Sequence, residues 1–203
     1  VPNYSYNSCI SVNEDVLHGI PSNSRRIEEG DLVKIDFGIV KNGFYTDHCY
    51  TFSMGKPSSE NARLISTGKL AVESSIKHAV TGGYTGDIGN TMQTIAELAG
   101  YNVLKQYVGH AVGRSLWEDP QIPAYGDPGE GDKLVKDLVV CLEAQVVAGG
   151  DEVYIKDDEW TITTKDSSLG VMFEYMVIVN DEEPEVITDM RDWETVIDLS
   201  LIH

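Results

Sequence analysis

The stretch IDFGIVKNGFYTDHCYTF constrains the fold more than any other part of the chain. Asn42 and Gly43 form a strong two-residue hairpin signal, because both accept the positive φ that a tight antiparallel turn requires. Leading into the turn, Val33, Ile35, Phe37 and Ile39 alternate with Lys34, Asp36 and Gly38, which predicts one apolar face on the incoming strand. Asp36 and Asp47 then share a face of the paired strands. A loop over Lys41 and Asn42 sets them directly opposite each other, and one over Asn42 and Gly43 sets them diagonally opposite. Two carboxylates so close repel, and the pair requires protonation, a basic partner or a metal ion between them.

At 203 residues and 41% hydrophobic content, the chain is the size of one domain with one sizeable core, and residues 1–203 are read as a single unit. No apolar run approaches the roughly 20 residues of a membrane span, and the opening VPNYSYNSCI lacks the basic and apolar regions of a signal segment. Cys9, Cys49 and Cys141 show no CxxC spacing and leave an odd count, which fits free thiols in a reducing compartment, the cytoplasm by default. A formal net charge of −18 disfavours nucleic acid as a partner and otherwise describes a solvated acidic surface.

Periodicity predicts short strands through residue 53, then two helices. ARLISTGKLAVESSIKHAV carries Leu64, Ile65, Ala71, Val72, Ile76 and Val80 at helical spacing, with Ser58 or Ser59 as N-cap. TGGYTG breaks this helix, and DIGNTMQTIAELAG supplies Ile88, Met92, Ile95 and Leu98 or Ala99 to a second one ended by Gly100. Downstream, NVLKQYV, LVVCLEAQVV, WTITTK and VMFEYMVIV read as strands, separated by the loop DPQIPAYGDPGEGDKL and the acidic connector DEVYIKDDE. The expected layout is α+β, with helices packed on one face of a mostly antiparallel sheet.

Two further carboxylates interrupt apolar strands: Glu143 in VVCLEAQVV and Glu174 in VMFEYMVIV. Neither run contains Lys or Arg, and a buried unpaired carboxylate costs several kcal/mol. Each glutamate alone could face solvent at a strand edge, but the alternative weakens once Asp36 and Asp47 are added. His110, between Gly109 and Gly113 in GHAVG, completes a set of four carboxylates and one imidazole. Such a set matches a two-metal site, in which divalent ions offset the negative charge and activate water.

The segments SCISVNEDVLHGIP, GDLVKIDFGIVKNGFYTDHCYTF, GHAVG, EDPQIPAYG, CLEAQV, EWTITTKDSSL and FEY resemble, in order and spacing, the type I methionine aminopeptidases, from about Tyr4 to Thr188. The resemblance implies a pita-bread fold, a curved mostly antiparallel sheet with helices on one face. It also implies removal of N-terminal methionine from peptides and nascent proteins, with two divalent ions, Mn, Fe, Co or Zn, as cofactors. By position, Asp36, Asp47, His110, Glu143 and Glu174 match the family's metal ligands, Glu143 also its proton shuttle and His18 its substrate-contacting histidine. Tyr4, Cys9 and Trp160 resemble residues that shape the methionine pocket, and Leu116 stands where an aromatic is usual.

Three departures accompany the resemblance. Trp117, in SLWEDP, occupies the position of the family's second active-site histidine, which implies reduced turnover. Tyr175 replaces a histidine beside Glu174. The family's upstream helix pair is missing, removed or naturally absent, and a homodimer or partner is expected over the uncovered sheet, near Val33 or Ile35. Two rival readings share the motifs: a weakly active or inactive peptide- or metal-binding module, and a proline-directed peptidase of the same fold.

Overall fold

The computed structural model describes residues 4–198. The hairpin turns over Asn42 and Gly43, at φ 55° and 78°, with Val40 opposite Tyr45 and Lys41 opposite Phe44. The same register continues into the longer strands Leu32–Asp36 and Cys49–Met54, where Asp36 faces Cys49. Of the two predicted alternatives the chain takes the diagonal one, since Asp47 lies two residues before Cys49, just outside the ladder. Residues 37–39 and 46–48 leave regular pairing but stay joined by the Phe37 N–H to the His48 carbonyl at 3.0 Å.

The predicted apolar face of this hairpin holds only at its base. Phe37 and Ile39 are exposed, whereas Val33 is buried with Val12 and Met54. Val33 is thus covered within the chain and unavailable to a partner, and Ile35 is half-buried. Lys34, expected on the polar face, is only 1% exposed, and its ammonium donates to the carbonyls of Asn13 at 2.8 Å and Gly170 at 3.0 Å. A second layer of backbone over the polar face buries the lysine and provides its acceptors.

Four sheets form among the described residues. One runs Cys9–Val12, Leu32–Asp36, Cys49–Met54, Val196–Ile197; the last pair is parallel and the others antiparallel. The largest runs Glu185–Val186, Gly170–Ile178, Val139–Val147, Gly109–Ala111, Glu118–Ile122, with Asn102–Val103 also on Val139–Val147. A third joins Val153–Ile155, Ile162–Thr164 and Asp15–Leu17, and the hairpin tip is the fourth.

Three segments differ from the sequence reading. NVLKQYV is strand only at Asn102–Val103. The supposed loop at DPQI belongs to strand Glu118–Ile122, which tolerates Pro120 because it is a sheet edge, where a missing N–H breaks no ladder on the open side. The acidic connector contains strand Val153–Ile155, also an edge, whose polar neighbours face solvent.

Helix α1 (Ser59–Ser75) is capped by Ser58, whose Oγ accepts from the Asn61 N–H at 3.0 Å, and a 3-10 turn at Ile76–His78 follows it. Helix α2 (Thr85–Leu98) begins inside the predicted breaker, where Asp87 accepts from the Tyr84 N–H at 3.1 Å and satisfies an end of the helix. Leu98 is 83% exposed, and Ala99 takes the core contact instead.

Leu64, Ile65, Ala71 and Val72 of α1 and Ile88, Met92 and Ala96 of α2 pack on Val140, Leu142, Ala144, Val146, Val171, Phe173, Tyr175 and Val177. Full burial of each large aliphatic among them is worth about 1.5–3 kcal/mol. Strands Val139–Val147 and Gly170–Ile178 pair along their whole length, so this apolar set leaves Cys141, Glu143, Gln145, Met172, Glu174 and Met176 on the opposite face.

Candidate metal centre

That opposite face is where the acidic groups meet. The register sets Glu143 directly across from Glu174, and both are buried. Like charges so paired destabilise a sheet unless a cation offsets them. The next strand over, Gly109–Ala111, sets His110 across from Cys141. Gly109 is required for this approach: a Cβ there would lie 2.3 Å from the Cys141 carbonyl oxygen. The hairpin brings in Asp36 and Asp47 from the other sheet.

His110 Nδ1 lies 3.0 Å from the Ala111 carbonyl, an acceptor only, so Nδ1 carries the proton and donates. Nε2 faces the site, 3.8 Å from Asp47 Oδ2. A hydrogen bond that fixes the tautomer in this way is the usual support of a metal-binding histidine. Asp47 Oδ1 accepts the His48 N–H at 3.0 Å. Glu143 Oε2 accepts from Gln145 Nε2.

Two ligand groups result, each with its donor atoms within 4.8 Å of one another: Asp36, Asp47 and Glu174, and His110, Cys141 and Glu174. Glu174 belongs to both. Its Oε1 is buried with no hydrogen-bond partner among the described residues. A buried carboxylate oxygen left without a partner, on a residue shared by two donor sets, is a group that a divalent ion would satisfy. Burial, then the charges of Asp47 and Glu143, raises Asp36 well above the ordinary carboxylate range. Burial and the same neighbours raise Glu174 similarly, burial and Asp47 raise Glu143 to about 8, and burial raises Asp47. Without a cation the cluster resists ionisation; with one, the same carboxylates become strong ligands.

A cavity of about 720 Å³ opens over these groups. Asp36, Asp47, His110, Glu143 and Glu174 line its floor, and Tyr4, Cys9, His18, Leu116, Trp117 and Trp160 line it as well. Tyr4 and Trp160 meet edge to face at 5.0 Å, and the single Tyr4 hydroxyl proton is shared between the carbonyls of Ser8 at 3.0 Å and Gly19 at 3.2 Å. His18 sits in the left-handed region at φ 56°, with its ring at 5.8 Å from Tyr107 and 6.4 Å from Trp160. A non-glycine residue held there is a strained element that its surroundings must fix. Burial lowers the His18 pKa and keeps the ring neutral. Burial, then the Asp36 charge, pushes the Cys9 thiol up to about 12, so Cys9 packs as a neutral wall. Trp117 is 55% exposed, at the mouth and not in the core.

Tyr175 is not part of this site. One residue from Glu174, it faces the helices, where its hydroxyl donates to Glu73 Oε1 at 2.9 Å and its ring lies 6.0 Å from His48. The sequence reading passed over Cys141, Gln145 and Tyr107. Cys141 and Gln145 were legible from the two-residue period around Glu143; Tyr107 carries no local signal and depends on how its loop folds back.

The profile of metallopeptidase family M24 matches residues 1–181. A methionine aminopeptidase of Clostridium acetobutylicum is 40% identical over 180 residues, 89% of this chain and 72% of its own length. The crystal structure of a methionine aminopeptidase from Thermotoga maritima superposes with a TM-score of 0.88 at 38% identity, covering 90% of this chain and 73% of that one. An X-Pro aminopeptidase of the same organism, at 20% identity and a TM-score of 0.73, shares the pita-bread fold alone. With a floor of carboxylates and one imidazole beneath an aromatic-walled cavity, and relatives of this closeness over most of its length, the chain belongs to metallopeptidase family M24 and, within it, to the methionine aminopeptidases.

Proposed function

We propose that this chain removes N-terminal methionine from peptides and nascent proteins with the aid of two divalent ions, in the cytoplasm. The observation that carries the reading is Glu174, shared by two donor groups with its Oε1 unpartnered. Asp36, Asp47, His110, Glu143 and Glu174 would hold the ions, and oxygen-rich ligation with one imidazole accommodates Mn, Fe, Co or Zn. Bound there, the ions supply Lewis-acid polarisation and a nucleophile active at neutral pH. Glu143, oriented by Gln145, accepts a proton from the attacking water and passes it to the departing amine. His18, neutral, hydrogen-bonds the peptide beside the scissile bond. Tyr4, Cys9, Leu116 and Trp160 enclose the methionine side chain, and Trp117 at the mouth can donate a single N–H to the peptide but exchange no proton.

The free thiols of Cys9, Cys49 and Cys141 support a reducing compartment. The exposure of Trp117 favours one second reading, a peptide-binding relative with slow turnover. Cleavage of Met-Ala-Ser against an Xaa-Pro peptide, on protein of measured metal content, separates the readings. Selective release of methionine supports the proposal. Cleavage of the Xaa-Pro peptide alone, or binding of Met-Ala-Ser by protein with two ions and no turnover, overturns it.

A further inference from the structure

We propose that Cys141 is a metal ligand, its Sγ joining His110 and Glu174 around one of the two ions and making that position a thiolate–imidazole–carboxylate site suited to zinc or cobalt. The inference rests on the metal-dependent reading above and assigns to it a residue outside the five ligands already named. Cys141 lies directly across the ladder from His110 and on the same strand face as Glu143, where it also packs against Val112 and Met176 just outside the residues that line the cavity. Its Sγ, a His110 ring nitrogen and a Glu174 oxygen lie within 4.8 Å of one another, and all three residues are buried. Around tetrahedral zinc, with Zn–S near 2.3 Å and Zn–N near 2.0–2.1 Å, donor atoms stand about 3.5 Å apart, inside the 4.8 Å that encloses these three.

A second observation at the same place is Glu174, shared by both groups, whose Oε1 is buried with no hydrogen-bond partner among the described residues. The Cys141 thiol also donates a side-chain hydrogen bond to the Glu174 carboxylate, so the sulfur already meets the group that a shared ion would need. On binding, the S–H bond breaks, the S–metal bond forms, and the proton leaves to solvent with no change in oxidation state. The other group, Asp36, Asp47 and Glu174, offers oxygen only. The two positions therefore differ in softness, and the first equivalent of zinc or cobalt should go to the sulfur-bearing one.

The test is metal loading of the full chain, anaerobically, with one and then two equivalents of Co²⁺. The expected result is a near-ultraviolet thiolate-to-cobalt charge-transfer band that saturates with the first equivalent, disappears in Cys141→Ser and persists in Cys9→Ser. Zinc affinity by competition should fall about 10–100-fold in Cys141→Ser. X-ray absorption of the unsubstituted protein with one equivalent of zinc, which needs no variant to fold, should show one sulfur scatterer at about 2.3 Å. Cobalt bound with no charge-transfer band, a band that survives Cys141→Ser, or a zinc shell of oxygen and nitrogen alone overturns the assignment while leaving the metal reading intact. Failure of any divalent ion to bind overturns both.

Discussion

On one face of the strand pair Val139–Val147 and Gly170–Ile178, Val140, Leu142, Ala144, Phe173, Tyr175 and Val177 meet the helices; on the other, Cys141, Glu143, Gln145 and Glu174 meet one another. Both faces are buried, and they share one backbone. Burial on the helix face is stabilising because the groups removed from water are apolar. Burial on the site face raises the pKa of every carboxylate placed there. The difference teaches that this sheet's stability is concentrated under α1 and α2, and that its other face is held ready for cations at the expense of the metal-free protein.

The largest test of this contrast is to move a carboxylate across the sheet. Leu142→Glu puts one into the helix-covered core with no cation or donor to meet it, and should cost more than about 4 kcal/mol or prevent folding. Urea denaturation, with Leu142→Gln beside it, measures the effect. If Leu142→Glu is tolerated within about 1 kcal/mol, the two faces are not as unlike as their packing indicates.

Next in size is the removal of ligands. Glu174→Ala, which removes a residue of both donor groups, should bring metal content from near two ions per chain toward zero and abolish the rise in melting temperature on metal loading, and Asp36→Ala, which touches one group only, should bring it toward one and shrink that rise. Elemental analysis with thermal scans in the presence and absence of chelator reads both. Full metal content in either variant would remove that residue from the centre.

Trp117→His tests the mouth of the cavity. An imidazole there can donate and exchange a proton, so kcat should rise about 10²- to 10³-fold with a smaller change in KM. Steady-state rates on Met-Ala-Ser decide it. A fall in kcat would mean that the indole already performs the positioning that the reaction needs.

The smallest effect is pH dependence in chelated protein. Raised carboxylates hold more protons in the folded than in the unfolded chain at pH values between their unfolded pKa, about 4, and their folded one. Their contribution is thus fully present below about pH 4 and lost as pH rises through the folded values, to about 8 for Glu143. The melting temperature of chelated protein should therefore drop by several degrees from pH 5.5 to 8. In metal-loaded protein the trend should reverse, because ions bind the deprotonated ligands. Identical pH profiles with and without metal would separate the carboxylate cluster from metal binding.

Local rules carried much of this structure. The positive-φ pair Asn42 and Gly43 dictates the hairpin register that sets Asp36 diagonal to Asp47, and the two-residue period sends Glu143, with Cys141 and Gln145, to one face. Ser58 and the spacing of Leu64, Ile65, Ala71 and Val72 define α1. These features depend on residues a few positions apart, whose geometry is nearly independent of the rest of the chain. The tertiary structure alone decided that Lys34 is buried against Asn13 and Gly170, that DPQI is an edge strand, and that Trp117 stands exposed at the cavity mouth while Tyr175 turns to Glu73. It also decided that His110 comes within 3.8 Å of Asp47, a residue 63 positions earlier in the chain. Each of these depends on which distant backbone covers a given face, and that is settled by packing between elements, not by the side chains next to it in sequence.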